Sequence, residues 1–299
     1  MIGIRESALL IRGREYQLGS RTHVMAIINV TTDSFSGDGL SGDLDKVRDR
    51  IRHVVDQGAD LIDVGGESTR PGAIPVSVND ELARVLPVIE MCRQETDLPI
   101  SIDTYKSPVA REALNAGADL VNDVWSFQSD PAMGSLVAET GCPVVLMHNR
   151  QAKATQSEIG AHYDEVNYED VVDTVRVELI RSIRIAEGMG IDEGQIIIDP
   201  GIGFGKTPEQ NLELLFRLSE LKSLGYPLLL GASRKSVVAH AMASNNSGIS
   251  IMDAHTVGGT CAANAMGILS GANMIRVHDV AQGVAVARVT DSIMNVSGS

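Results

Sequence analysis

The sequence predicts an α/β protein, a closed (β/α)8 TIM barrel with an N-terminal β-hairpin across its floor. Three observations carry that expectation. Short runs of β-branched and aliphatic residues recur about eight times from Val24 onward, each ending in polar residues and followed by an amphipathic helical stretch. The runs do not alternate apolar with polar, which marks strands covered on both faces. The phrases Gly58-Ala59-Asp60, Gly117-Ala118-Asp119 and Gly271-Ala272-Asn273 each set a helix-ending glycine before a short turn into the next run. An open doubly wound sheet is the rival architecture, but no GxGxxG follows the first run and such a sheet seldom needs this many uniform units.

The hairpin is expected within residues 7–22, around Ala8-Leu9-Leu10-Ile11, Gly13 and Tyr16-Gln17-Leu18. The first barrel run, Val24-Met25-Ala26-Ile27-Ile28, ends at Asn29, and a helix over Leu44 to Gln57 stops at Gly58. Leu61-Ile62-Asp63-Val64 ends in Gly65-Gly66-Glu67. Its helix, Asp80 to Glu95, puts Leu82, Val85, Leu86 and Ile89 on one face. Ile100-Ser101-Ile102 ends at Asp103, and Ser107-Pro108 reads as an N-cap followed by proline at the first helical position. Leu120-Val121 ends in Asn122-Asp123, Val144-Val145-Leu146-Met147 at His148, and Ile196-Ile197-Ile198 at Asp199-Pro200-Gly201. Leu228-Leu229-Leu230 ends in Gly231-Ala232-Ser233-Arg234-Lys235, and Met274-Ile275-Arg276-Val277 in His278-Asp279. Polar residues 149–167 are a candidate lid before a long helix from Tyr168 to Met189, and Ser244-Asn245-Asn246-Ser247-Gly248 is a polar loop.

Length and composition narrow the function. Barrels of 299 residues commonly form one domain, so residues 1–299 are expected to fold as a unit. A net charge of −14 argues against a nucleic-acid or anionic-membrane partner. A phosphate-bearing substrate would then need cations supplied locally by the site. The three cysteines, Cys92, Cys142 and Cys261, lie far apart with no CxxC spacing, as expected of reduced, buried thiols. No signal-like start or membrane-length apolar run is present, so a cytoplasmic setting is expected.

In a barrel the carboxyl ends of the strands converge on one face, where the chemistry sits. A single Asn or Asp after a strand is usually a helix cap or turn former. Here nearly every run ends in such residues, with both charge signs represented, which capping alone does not require. Asp103, Asn122 and Asp199 can meet the N–H and C=O groups of a heterocycle, and Lys235 adds a cation beside it. Arg276 and His278 can grip an anion at the mouth, and the Gln282-Gly283-Val284 segment could present helix N-terminal N–H groups to it.

These residues stand in longer motifs. Asn29-Val30-Thr31-Thr32-Asp33-Ser34-Phe35-Ser36, Asp63-Val64-Gly65-Gly66-Glu67-Ser68-Thr69-Arg70-Pro71-Gly72 and Ser101-Ile102-Asp103-Thr104 come first. Asn122-Asp123, Asp199-Pro200-Gly201-Ile202-Gly203-Phe204-Gly205-Lys206, Ser233-Arg234-Lys235-Ser236 and Arg276-Val277-His278-Asp279 follow in order. Together they resemble the dihydropteroate synthases, over nearly the whole chain.

The resemblance implies a transferase of folate biosynthesis. It would join 6-hydroxymethyl-7,8-dihydropterin pyrophosphate to 4-aminobenzoate, would be a sulfonamide target, and would form a homodimer through the last helices. It implies that Asp103, Asn122, Asp199 and Lys235 bind the pterin, with Met147 and Phe204 as apolar wall. Asn29 would hold Mg²⁺ together with the diphosphate, while Arg276, His278 and Thr69 bind the diphosphate itself. Phe35, Arg70 and Ser236 would form the 4-aminobenzoate site, and Asp33 would orient the amine or take its proton. Asp33, Asp103, Lys235 and Arg276 would carry catalysis. Thr32 stands where the family usually has proline; without a fixed φ the open first loop should be more mobile. Two alternatives share the barrel: a synthase paralogue with weak or no turnover, and a methyltetrahydrofolate-dependent methyltransferase. The latter needs no diphosphate grip, so Ser233-Arg234-Lys235-Ser236, Arg276 and His278 argue against it.

Overall fold

The computed structural model describes residues 7–11, 14–30, 44–69, 73–150, 155–156, 163–164, 167–242 and 254–296. An antiparallel hairpin, β1 (Ser7–Ile11) and β2 (Arg14–Leu18), comes first. Strands and helices then alternate: β3 (His23–Asn29), α1 (Leu44–Asp56), β4 (Leu61–Gly65), α2 (Val78–Glu95), β5 (Ile100–Asp103) and α3 (Ser107–Ala116). Next come β6 (Leu120–Asp123), α4 (Ala132–Thr140), β7 (Val144–Met147), and a short antiparallel pair, β8 (Thr155–Gln156) with β9 (Tyr163–Asp164). The chain continues with α5 (Val171–Gly188), β10 (Ile196–Asp199), α6 (Pro208–Phe216), β11 (Leu229–Leu230) and α7 (Ser236–Met242). It ends with α8 (Ala254–Leu269), β12 (Met274–Val277) and α9 (Val280–Val296).

The parallel strands run in the order β10-β7-β6-β5-β4-β3-β12-β11. The remaining seam is joined by a parallel bridge between Ile198 and Leu228, with the Ile198 N–H donating to the Pro227 carbonyl at 2.9 Å. The expected barrel is therefore the observed one.

Strand periodicity sorts the core into two populations. Ile62, Val64, Ile102, Val121, Leu146, Ile198 and Ile275 pack outward against the helices. Met25, Leu61, Leu120, Val145, Ile197, Leu229 and Met274 form a second cluster with the hairpin residues Leu9, Ile11 and Leu18. The hairpin thus covers the amino ends of the strands, as the sequence indicated, and gives the barrel a dry floor.

Local chemistry sets the element ends. Gly58, Gly117 and Gly271 take φ of +90°, +117° and +105°, the left-handed turns inferred for the three repeated phrases. Thr207 and Gln210 form a reciprocal capping box at the start of α6. Two boundaries differ from expectation. Ser107 is the first helical residue of α3 rather than its cap, because its N–H is already satisfied by Asp130 Oδ2 at 2.8 Å. Helix α5 starts at Val171 instead of Tyr168, because the Asp170 side chain caps it by accepting from the Asp173 N–H. Most of the 149–167 loop and all of residues 244–248 lie outside the described residues. Cys92 and Cys142 are buried and Cys261 is half-buried, all unpaired; burial pushes the Cys92 thiol up to about 12. Among the described residues, no helix is long and apolar enough to cross a membrane.

Candidate active site

The same periodicity builds the site. Two residues beyond each inward-facing floor residue comes the next inward position: Asp63 after Leu61, Asn122 after Leu120, Met147 after Val145, Asp199 after Ile197, Arg276 after Met274. Asp103 follows Ser101 in the same way, and Asn29 completes β3. The register runs Asn29 beside Gly65, Gly65 beside Asp103, and Asp103 beside Asn122. Met147 lies beside Asp199. A polar layer therefore sits directly on the apolar floor, at the carboxyl ends of the strands.

Arg276 organises one side of this layer. Its Nε donates to Asp63 Oδ2 and its Nη2 to Asp103 Oδ2, both at 2.6 Å. The Asn122 amide approaches the same Asp63 oxygen at 3.4 Å. The sequence points Arg276 to an anion at the mouth; in the fold its side chain instead reaches across the pocket to two carboxylates. One guanidinium between two buried acids cannot fully compensate both. Burial raises the Asp103 carboxyl to about 7, against the pull of Arg276 and with help from the negative Asp63. Burial opposes the Arg276 charge, but the two carboxylates outweigh it and hold the guanidinium above its ordinary value.

Asp199 anchors the opposite side. Its Oδ1 accepts from the Gly201 N–H at 2.7 Å, and the turn continues through Gly201, Gly203 and Gly205, all with φ between +64° and +82°. Asn211, on α6, fastens that turn. Its Oδ1 accepts from the Gly203 N–H at 2.7 Å, and its amide donates to the carbonyls of Lys206 and Thr207 at 3.1 and 2.8 Å. Lys206 is buried, with its amine donating to the Gly201 and Phe204 carbonyls at 2.8 and 3.1 Å. Burial, reinforced by the nearby Lys235 charge, pushes Lys206 well below the usual amine range. Lys235 donates to the Ile202 carbonyl and sits 4.4 Å above the Phe204 ring. Burial lowers it to about 8, opposed by Asp199. Asp199 in turn is raised by burial and restrained by Lys235.

An apolar cluster stands beside these groups. Met147, Phe204 and Val124 cluster with the half-buried rings of Tyr105 and Trp125. Asp123 supports this wall from behind, its carboxylate accepting from the Trp125 and Phe127 N–H groups at 2.8 and 2.7 Å. It serves as a turn former, while its neighbour Asn122 faces the pocket.

Toward the rim, His278 Nδ1 lies 3.0 Å from the Ser233 hydroxyl. Arg234 adopts φ of +54° and makes a two-pronged pair with Asp279 at 2.6 and 3.0 Å, joining the turns after β11 and β12. Ser236 opens α7 and Thr69 is half-buried after β4. Gly283 does not match its expected role: its N–H is bonded to the carbonyl of Asp279, the residue just before α9, and a Cβ there would stand 3.0 Å from Val277 Cγ2. It is a packing position. Asp33, Phe35 and Arg70, and with them Thr32, lie outside the described residues.

Three contributors were not assigned a role from sequence. Asp63 carried the signal of a carboxylate within an apolar run. Lys206 ended the glycine-rich motif. Asn211 gave no local signal, since its bonds depend on the path of a turn it follows.

Fold and pocket together define a barrel enzyme that receives a polar ring at the carboxyl ends of its strands, with cations set beside buried carboxylates. The pterin binding enzyme family model matches residues 25–278. A dihydropteroate synthase of Clostridium beijerinckii is 41% identical over 285 residues, covering 95% of this chain and 98% of that protein. The crystal structure of dihydropteroate synthase from Clostridium difficile in the presence of pteroic acid superposes with a TM-score of 0.80 at 44% identity, over 93% of this chain and 98% of that one. The Xanthomonas albilineans dihydropteroate synthase with 4-aminobenzoic acid gives 0.83 at 39% identity, over 97% and 98%. This chain belongs to the dihydropteroate synthase family of pterin-binding enzymes.

Proposed function

We propose that the chain condenses 6-hydroxymethyl-7,8-dihydropterin pyrophosphate with 4-aminobenzoate, giving 7,8-dihydropteroate and pyrophosphate. The observation that carries the reading is the single polar layer of Asp103, Asn122, Asp199 and Lys235 beside the Met147–Phe204 wall. Carboxylates and an amide match the donors and acceptors of the pterin edge, and a ring lacking them leaves buried groups unpaired. Mixing the purified chain with the pterin ester, Mg²⁺ and 4-aminobenzoate is expected to release pyrophosphate. Formation of no 7,8-dihydropteroate and release of no pyrophosphate would sink the assignment and favour the inactive paralogue.

In the reaction the C–O bond to pyrophosphate breaks with its electron pair leaving on oxygen. The methylene carbon becomes cationic and conjugated with the ring. The arylamine nitrogen then forms the C–N bond and loses a proton. Asp103 and Asp199 lie where negative charge favours the cation. Arg276 meets the departing anion with the donors not committed to Asp63 and Asp103, and His278 assists. Ser236 is proposed to receive the 4-aminobenzoate carboxylate and Thr69 to assist the diphosphate. The roles of Asp33, Phe35 and Arg70 rest on the motif resemblance.

Mg²⁺ fits as an ion that arrives with the diphosphate rather than one caged by protein. Among the described residues no group of three His, Cys, Asp or Glu is placed to hold a metal. The Asn29 amide oxygen stands next to Gly65 and Asp103 at the pocket edge, a hard oxygen of the kind Mg²⁺ takes alongside substrate phosphates and water. When bound, the ion would neutralise leaving-group charge. Asn29→Ala is accordingly expected to raise the Mg²⁺ concentration needed for half-maximal turnover; an identical metal titration would remove Asn29 from this role.

The pocket also sets a pH dependence. Asp103 loses its proton through about 7 and Lys235 through about 8. Pterin affinity should climb as Asp103 ionises and decline as Lys235 is neutralised, giving a narrow maximum between the two. Calorimetry across that span checks this, and a flat profile would show that neither titration controls binding.

A cytoplasmic setting without nucleic-acid or membrane partners is proposed on the acidic net charge. A homodimer is proposed through the last helices. Met266 and Leu269 on α8, and Val289 and Ile293 on α9, are exposed apolar residues in support.

A further inference from the structure

One amine ties together both stems of the turn after β4. Lys106 Nζ donates to the Glu67 carboxylate on the entry side and to the Val76 carbonyl, at 2.7 Å, on the exit side. It also donates to Glu81 Oε2 on α2 at 2.6 Å. The entry stem is held from other directions too. The Tyr105 hydroxyl donates to Glu67 Oε1 at 2.9 Å, and Arg84 Nη1 to the Gly66 carbonyl at 2.9 Å. A Cβ on Gly66 would lie 2.7 Å from Val85 Cγ1, so the backbone there is pressed flat on α2.

The cluster sits largely in the interior: the Lys106, Glu67 and Glu81 side chains are 15%, 9% and 1% exposed. Burial works against the Lys106 charge, but its bonds to the two glutamates prevail and keep it protonated. Buried ion pairs of this kind seldom stabilise a fold better than apolar packing would; their best-attested use is to specify one arrangement. Lys106 follows Asp103 by three residues, so one short stretch of chain carries a pocket carboxylate and the clamp on the adjacent turn. Thr69 lies two residues past the clamped Glu67.

We propose that Lys106 is a positioning residue: by clamping Glu67 and Val76 it fixes the turn after β4 so that Thr69 is set against the diphosphate of the pterin ester. The assignment rests on the synthase reading above. It separates two parts of the substrate, because the ring meets Asp103, Asn122, Asp199 and Lys235, while the diphosphate depends on the clamped turn.

The test uses the full chain carrying Lys106→Met. Calorimetric affinities are measured for 6-hydroxymethylpterin without diphosphate, and for the diphosphate ester with Mg²⁺. Ring affinity is expected to stay within about twofold, while ester affinity falls about tenfold, the scale of one charge-assisted hydrogen bond. KM for the ester should rise in parallel, and Lys106→Arg should restore much of both. An unchanged ratio of ester to ring affinity overturns the proposal, and so does an equal loss of both, which marks a merely structural lysine. Should Lys106→Met fail to fold, Lys106→Met with Glu67→Gln and Glu81→Gln removes the stranded charges, and the same ratio is read. If the unsubstituted chain binds ring and ester yet never forms dihydropteroate, the synthase reading fails, while the affinity ratio still decides the role of Lys106.

Discussion

Replacing Asp199 with alanine is expected to weaken pterin binding by about a hundredfold or more while leaving the barrel folded. The carboxylate closes β10, faces inward above Ile197, and is buried. Its removal strands ring N–H groups in a dry site, where each unmet donor costs about 1–3 kcal/mol and more for charged pairs. It also removes a negative charge that favours the protonated forms of Lys206 and Lys235. Finally it frees the Gly201 N–H, so the glycine turn carrying Phe204 loses one anchor, although Asn211 still holds Gly203. Asp199→Asn separates these effects. It keeps an acceptor for Gly201 but not the charge, and should bind better than alanine and worse than the unsubstituted chain. Calorimetry on both variants, with circular dichroism to confirm folding, is the check. Unchanged affinity in the alanine chain would take Asp199 out of the ring pocket altogether.

The part of this site that could be read before the fold was known is the part fixed by strand parity. Asp103, Asn122 and Asp199 end short apolar runs, and in a barrel that position faces inward at the carboxyl end. The floor was legible as well, in a hairpin carrying Leu9, Leu10, Ile11 and Leu18 ahead of the first barrel strand. Arg276 shows where such reading stops. Its strand and its face were both apparent, yet its partners Asp63 and Asp103 lie 213 and 173 residues away in sequence. Which carboxylates a long side chain reaches across the barrel depends on barrel radius and on the register of three strands, and no local pattern encodes either. Asp63 is hidden in sequence because its charge lies inside an apolar run and its motif masks its parity: it stands two residues above Leu61, as Asp199 stands above Ile197. Asn211 is a harder case. Its value lies in three backbone groups of a turn four to eight residues earlier, and a helical asparagine alone does not announce them.

Arg276→Ala is expected to destabilise the folded chain by about 3–5 kcal/mol at neutral pH, beyond its effect on turnover, because it leaves two buried carboxylates without their cation. Asp63 is fully buried and Asp103 nearly so. Without the guanidinium, which pulls it down, the Asp103 carboxyl should titrate in the folded state still further above its unfolded value of about 3.9. A raised folded pKa means the native state binds more protons than the unfolded chain, so stability falls as pH climbs from that value toward the folded pKa. Acidification should therefore narrow the gap between the variant and the unsubstituted chain, whose Asp103 already sits at about 7 and whose own stability changes less over the same span. Urea midpoints measured at about pH 5 and about pH 8 give the comparison directly. A difference that stays constant with pH would mean that the cost comes from lost packing of the arginine stem rather than from stranded charge. Asp63→Asn added to Arg276→Ala distinguishes the two again: it should return much of the lost stability if the charge argument holds, and little if packing dominates. Neither variant should recover turnover, since the departing pyrophosphate would still lack the guanidinium.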